Sequence, residues 1–150
     1  MVGCRNNNMQ QIEQIIASLR DEGFRITPQR IAIMDYLLKT EDHPSAELIH
    51  KVIRKRYPMV SLSTIYKTLE LLKEKKLVNE MDIEGEARFD AHTNEHINLV
   101  CMNCGKIDDV DEDSLKEIQM KAARKSKYLI LKSSFELSGY CSDCKSKFQS

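Results

Sequence analysis

The sequence predicts an α+β chain: a run of short helices closed by a β-hairpin, then a small α/β unit stapled by a metal ion. Three observations carry this. Apolar residues recur at helical spacing through the first half. A Glu84-Gly85 turn signal follows the helices. The pairs Cys101-x-x-Cys104 and Cys141-x-x-Cys144 supply the four soft ligands that tetrahedral Zn(II) prefers.

Size and composition bound the rest. A chain of 150 residues makes one large domain or two small ones, and 41% hydrophobic residues are enough for a core. No apolar run is long enough to cross a membrane. The start, Met1-Val2-Gly3-Cys4-Arg5-Asn6, has no apolar signal region, which predicts a cytoplasmic chain in which paired Cys-x-x-Cys motifs mean zinc rather than disulfides. Cys4, the odd cysteine in a polar segment, is expected to be incidental. Net charge is zero, but residues 1–80 carry net +3 and residues 81–150 net −3, which fits a DNA-facing first half.

In chain order, Ile12, Ile15, Ile16 and Leu19 predict a helix over residues 9–22 that Gly23 terminates. Thr27 and Pro28 open a second helix running to about Leu38. Ser45 caps a third through Ile53, with Lys51, Arg54, Lys55 and Arg56 around its C-terminus. Ser61 opens a fourth, whose buried stripe is Ile65, Thr68, Leu69 and Leu72. Helices in this order followed by a hairpin describe a winged helix-turn-helix. Its fourth helix would enter the major groove and its hairpin would lie along the backbone. Ser61, Ser63 and Thr64 could then offer hydroxyls and helix N-terminal amides to phosphate. Tyr66 could pack on a thymine methyl or bond a phosphate, and Lys67 could reach a phosphate or a guanine. Arg25 is counted with them as a DNA contact.

Beyond Asp90 the pattern changes. Ile97-Asn98-Leu99-Val100 reads as a strand, Ser114 to Ser126 as a helix with Leu115, Ile118 and Ala122 on one face, and Leu129-Ile130-Leu131 with Phe135-Glu136-Leu137 as one or two further strands. A unit this small needs help from the zinc and from a homodimer partner. Harder ligands cluster in sequence around the same strand: His43, Asp90, His92, Glu95, His96, Asn98, Asp108 and Asp109. Imidazole and carboxylate suit Fe(II), Mn(II) or Zn(II) in an exchangeable site. His43 lies in the first half, so a site that includes it would tie the halves together. His50, beside a basic cluster, reads as a surface residue.

Several strings resemble the ferric uptake regulator family. They are Arg25-Ile26-Thr27-Pro28-Gln29-Arg30, His43-Pro44-Ser45-Ala46-Glu47, Ser61-x-x-Thr64-Ile65-Tyr66-Lys67-Thr68-Leu69, Arg88-Phe89-Asp90, Glu95-His96-x-x-x-x-Cys101-x-x-Cys104-Gly105-Lys106 and Gly139-Tyr140-Cys141-x-x-Cys144. The resemblance covers nearly the whole chain. It implies a dimeric, metal-dependent repressor that binds double-stranded operator DNA. Residues 1–86 would form the winged-helix domain, 87–95 a hinge, and 96–150 the dimerisation and metal-binding domain. The four cysteines would hold structural Zn(II), and His43, Asp90, His96 and Asp109 a regulatory Fe(II) or Mn(II). Most members have histidine at position 98; here it is Asn98, with His92 as the alternative fifth ligand. Aspartate at both 90 and 109 is similar to the peroxide-responsive branch of the family, in which Fe(II) reacts with peroxide and ligand histidines, here His43 and His96, are oxidised. A further metal site seen in many members would need ligands at 95, 97 and 133; Glu95, Ile97 and Ser133 predict that it is absent or degenerate.

Other readings remain open at this level. A plain sensor of Fe(II), Mn(II) or Zn(II) has the same motifs. A non-haem iron enzyme shares the two-histidine, one-carboxylate ligand set, but a DNA-reading helix and no expected small-molecule substrate argue against an enzyme. A zinc-stapled protein-interaction module would need neither metal exchange nor DNA.

Overall fold

Three helices of the first half start on the same capping chemistry. The side-chain oxygens of Thr27, Ser45 and Ser61 accept from the backbone N–H groups of Arg30, Leu48 and Thr64 at 3.3, 3.3 and 3.1 Å. Each cap is worth about 1 kcal/mol. The computed structural model describes the backbone of residues 4–148 and the side chains of residues 9–148. It divides into two compact units, Met1–Thr93 and Asn94–Ser150.

The first unit contains α1 (Cys4–Asp21), α2 (Pro28–Lys39), α3 (Ala46–Ile53) and α4 (Leu62–Glu74). Helix α1 already begins at Cys4, ahead of the first periodic apolar residue; the Cys4 side chain lies outside the described residues. Gly23, at φ +86°, ends it: the Phe24 N–H donates to the Leu19 carbonyl at 2.9 Å, which satisfies a carbonyl of the last turn. Ile33, Ile49, Ile65 and Leu69 are completely buried, with Leu19, Leu72 and Phe89 beside them. The buried stripe read from the α4 sequence is therefore the side of α4 facing the core. Leu69→Ala should destabilise this unit by about 2–5 kcal/mol, the cost of a cavity in a close-packed core. Denaturant unfolding of the intact protein measures it, and an unchanged first-unit transition would remove Leu69 from the core.

The strands β1 (Asn79–Ile83) and β2 (Glu86–Asp90) pair antiparallel across a two-residue turn. Glu84 and Gly85 both have positive φ, 54° and 86°, the backbone that a twisted two-residue hairpin demands. Asp82 Oδ1 accepts from the Gly85 N–H at 2.8 Å. With α2 to α4 before it, this hairpin completes a winged helix-turn-helix. The Phe89 N–H donates to the Pro44 carbonyl at 2.9 Å, so the end of β2 lies against the start of α3.

The second unit contains β3 (Ile97–Cys101), β4 (Ile107–Val110), α5 (Leu115–Ser126), β5 (Phe135–Gly139) and the short α6 (Ser142–Lys145). Its sheet has the order β4-β3-β5, with β3 antiparallel to β4 and parallel to β5. Two differences from the sequence reading stand out. Residues 107–110 form a strand that the sequence reading does not include; pairing with β3 outweighs the low strand propensity of aspartate. Of the one or two strands expected there, only Phe135–Gly139 forms; Leu129-Ile130-Leu131 pairs with no strand, and Leu129 and Leu131 are 86% and 87% exposed. On α5 only Leu115 is buried among the described residues, and Ile118 and Ala122 face outward.

Candidate metal centres and nucleic-acid interface

The four cysteines of the second unit converge. Cys101 ends β3, Cys104 lies on the turn that follows, Cys141 precedes α6 and Cys144 lies within it. The turn is closed by the Gly105 N–H donating to the Cys101 carbonyl at 2.9 Å, and by the Cys101 N–H donating to Lys106 at 2.8 Å. Gly105 supplies the positive φ of +72° that this tight reversal needs. The parallel register sets Cys101 opposite Gly139, which brings the two Cys-x-x-Cys pairs to one end of the sheet. All four Sγ atoms lie within 4.8 Å of one another, and none is in a disulfide. Sulfurs about 2.3 Å from a tetrahedral Zn(II) are about 3.8 Å apart, and Cys104 Sγ and Cys141 Sγ are 3.8 Å apart. The donor set and its spacing fit that ion.

The electrostatics point the same way. Backbone N–H groups of Cys141, Cys104 and Asn103 pull the Cys101 thiol down to about 6, against the effect of burial. The Lys106 N–H also pulls on Cys104, but the neighbouring Cys101, burial, Cys141 and Cys144 outweigh it and hold that thiol up at about 11. Without a cation the cluster resists a second negative charge; a divalent ion removes that penalty and deprotonates the rest. Asn103 Nδ2 donates to Cys144 Sγ at 3.2 Å. Its position inside the first Cys-x-x-Cys loop was the available sequence signal for this contact.

The harder ligands form one pair in each unit. In the first, His43 and Asp90 are buried, with His43 Nε2 3.7 Å from Asp90 Oδ2. The Arg88 guanidinium donates to the His43 carbonyl and so fixes the turn that carries this residue. His92 is half-buried, and its backbone N–H donates to Asp90 Oδ1 at 2.7 Å. In the second unit, His96 Nε2 is 3.7 Å from Asp109 Oδ1. A gap of 3.7 Å is too long for a hydrogen bond, yet metal–ligand bonds of about 2.1 Å let one ion touch both atoms.

Strand geometry separates Asp109 from its neighbour. Asp109 sits directly across from Asn98, two residues from His96 and on the same face. Asp108 is across from Leu99 and pairs instead with Lys106 at 2.9 Å. The Asn94 carbonyl lies 2.6 Å from His96 Nδ1. A carbonyl can only accept, so Nδ1 carries a proton, and Nε2 is the nitrogen turned toward Asp109 and Asn98. Asn98 Oδ1 is 3.1 Å from that Nε2, so the asparagine side chain lies against the same nitrogen.

On α4, Ser63, Tyr66 and Lys67 are exposed on the side away from Ile65, Leu69 and Leu72, and Thr64 is half-buried. Ser61 caps the helix, its Oγ 3.0 Å from Thr64 Oγ1. Arg25 is exposed ahead of α2, and its carbonyl accepts from Arg30 at 2.6 Å. The Tyr66 hydroxyl donates to Glu47 on α3 at 3.0 Å, and that bond holds the phenol above its usual pKa. Nothing in the local sequence pattern signals this contact. His50, read as a surface residue, is half-buried with Nε2 2.9 Å from the Val60 carbonyl.

A winged helix ahead of a sheet with converging thiols and paired imidazole and carboxylate groups defines the class. The profile of the ferric uptake regulator family matches residues 21–138, and the chain belongs to this family of metal-responsive regulators. The peroxide-responsive repressor PerR of Staphylococcus epidermidis is 37% identical over 136 residues, which cover 90% of this chain and 91% of that protein. The Campylobacter jejuni peroxide stress regulator superposes with a TM-score of 0.73 at 32% identity, covering 86% of this chain and 98% of that one. The Helicobacter pylori ferric uptake regulator shares the fold, with a TM-score of 0.78 at 21% identity over 92% of this chain and 93% of that one.

Proposed function

We propose that this chain is a cytoplasmic, homodimeric transcriptional repressor that binds operator DNA when a regulatory Fe(II) or Mn(II) is held, and that it senses peroxide when the ion is iron. The observation that carries the reading is the pair of imidazole–carboxylate contacts, His43 with Asp90 and His96 with Asp109, each at 3.7 Å. One ion taking all four groups would favour the arrangement of the units that offers them together, and so shift the population toward it. The four cysteines would hold structural Zn(II) and leave the second unit's shape independent of the regulatory ion.

Double-stranded DNA would meet the exposed face of α4 through Ser63, Thr64, Tyr66 and Lys67, with Ser61 and Arg25 at its edges. The partner protomer would cover the second unit's apolar surface. Tyr128, Leu129, Leu131 and Leu137 are all more than half exposed, and β5 is an edge strand. Large exposed apolar side chains in one small unit favour such an association. No helix among the described residues is long and apolar enough to cross a membrane.

Bound Fe(II) would supply the redox catalysis that activates peroxide beside the ligand imidazoles, and the oxidised ring supplies the two electrons overall. Overall, one peroxide oxygen is inserted at a ring carbon of His43 or His96 and the other leaves as water. The oxidised ring is a poorer ligand, so the ion is released and repression ends. The chain modifies itself once and does not turn over a substrate, which separates it from an enzyme. Anaerobic Fe(II) loading, one small dose of peroxide and peptide mass spectrometry test this, with Mn(II)-loaded protein as the control. One added oxygen on the His43 or His96 peptide, with iron alone, is the expected result. No added oxygen, with metal-dependent DNA binding intact, would make the chain a plain metal sensor. The observation favouring that second reading is Asn98, an amide where an imidazole would complete the ligand set.

A further inference from the structure

We infer that Gln119 and Ser133 are positioning residues for His96, acting through Glu95. The inference rests on His96 being a regulatory-metal ligand.

Glu95 and His96 are consecutive residues of the short segment ahead of β3, and their side chains differ in burial and in partners. His96 is buried and faces Asp109, while Glu95 is exposed. Gln119 Nε2, from the middle of α5, donates to both Glu95 Oε1 and Ser133 Oγ. The Ser133 hydroxyl also reaches Glu95 Oε1, at 3.5 Å. Three segments remote in sequence thus meet on one carboxylate: the lead into β3, helix α5 and the lead into β5.

The location matters because α5 has little else to hold it. Leu115, in its first turn, is its only buried residue among those described. Gln119, one turn further on, is half-buried, as is Ser133. The His96 imidazole is oriented by the Asn94 carbonyl, which belongs to the same short segment. That segment lies outside the sheet's ladder, and the Glu95 side chain ties it to α5 and to Ser133. Hydrogen-bonded supports of this kind typically change metal affinity by about 10–100-fold when removed.

The experiment uses the full-length, zinc-loaded protein and Mn(II) alone as the probe. Mn(II) affinity is read by electron paramagnetic resonance for the parent, Gln119→Leu, Ser133→Ala, Glu95→Gln and His96→Ala. Zinc content, thermal midpoint and hydrogen exchange of residues 92–97 without Mn(II) are measured on the same samples. Gln119→Leu and Ser133→Ala should each weaken Mn(II) binding by about tenfold and speed exchange in residues 92–97. Zinc content and midpoint should stay at parental values. Glu95→Gln, which keeps an acceptor for Gln119, should retain most of the affinity. If Gln119→Leu does not fold, Ser133→Ala, which removes one oxygen, decides. Parental Mn(II) affinity in the Gln119 and Ser133 variants, with binding lost in His96→Ala, would overturn the positioning role and leave His96 as a ligand. Parental affinity in His96→Ala would overturn the ligand reading and the inference with it. A lower midpoint with unchanged Mn(II) affinity would reduce the cluster to a structural tie and also overturn it.

Discussion

Cys101→Ser should lose its tightly held zinc and unfold the second unit while the first unit still melts cooperatively. Magnitudes decide this. Among the described residues the buried apolar side chains of the second unit are few: Val100, Ile107 and Leu115, beside Cys101 and Cys144 themselves. A core in a unit this small supplies no more than about 3–5 kcal/mol. Structural Zn(II) on a complete ligand set contributes about 10–16 kcal/mol, so the ion outweighs the core. Cys101 is also the thiol that three backbone N–H groups already hold toward the thiolate, and serine could not take that role. Elemental analysis together with calorimetry of the variant checks the expectation. A parent protein that is stable and zinc-free would sink it, as would a variant that keeps one zinc and its second transition.

Tyr66→Ala should abolish sequence-specific DNA binding at concentrations where the parent is saturated, with zinc content and thermal stability unchanged. Tyr66 is exposed on the outer face of α4, so its removal leaves no cavity. A lost base contact costs about 1–3 kcal/mol, and a symmetric dimer loses it in both half-sites. Lys67→Ala should act differently, weakening binding across sequences and lowering the salt dependence by about one counterion per site. DNA selected from a random pool by the Mn(II)-loaded parent provides the probe, and titrations at several salt concentrations provide the readout. Undiminished binding by both variants would mean that another element reads the DNA. Glu47 adds a second expectation at the same place: it holds the Tyr66 hydroxyl from α3, so its removal frees the ring without deleting it.

The first half of the molecule was legible because its signals are local. Thr27, Ser45 and Ser61 each act within three residues, and Glu84-Gly85 defines a hairpin by its own backbone preference. The α4 stripe follows from a period that any 13-residue helix must keep if one side is buried. The convergence of the cysteines was legible for a different reason: two Cys-x-x-Cys pairs at that spacing are a metal-ligand pattern, and their four sulfurs do come together.

The second half was less legible, because its order depends on which segment finds which. Strand β4 forms only because β3 lies beside it, and that pairing puts Asp109 rather than Asp108 on the face of His96. The apolar run at 129–131 looked like a strand by composition, but an apolar run forms a strand only where a neighbour offers its backbone groups. Residues 129–131 pair with no strand of the sheet. The sequence by itself determined the helices, their caps, the hairpin and the thiol pairs, since each is set by interactions within a few residues. Tertiary structure alone decided the sheet order and the meeting of Glu95, Gln119 and Ser133, because hydrogen bonds between remote segments leave no periodic trace in the chain.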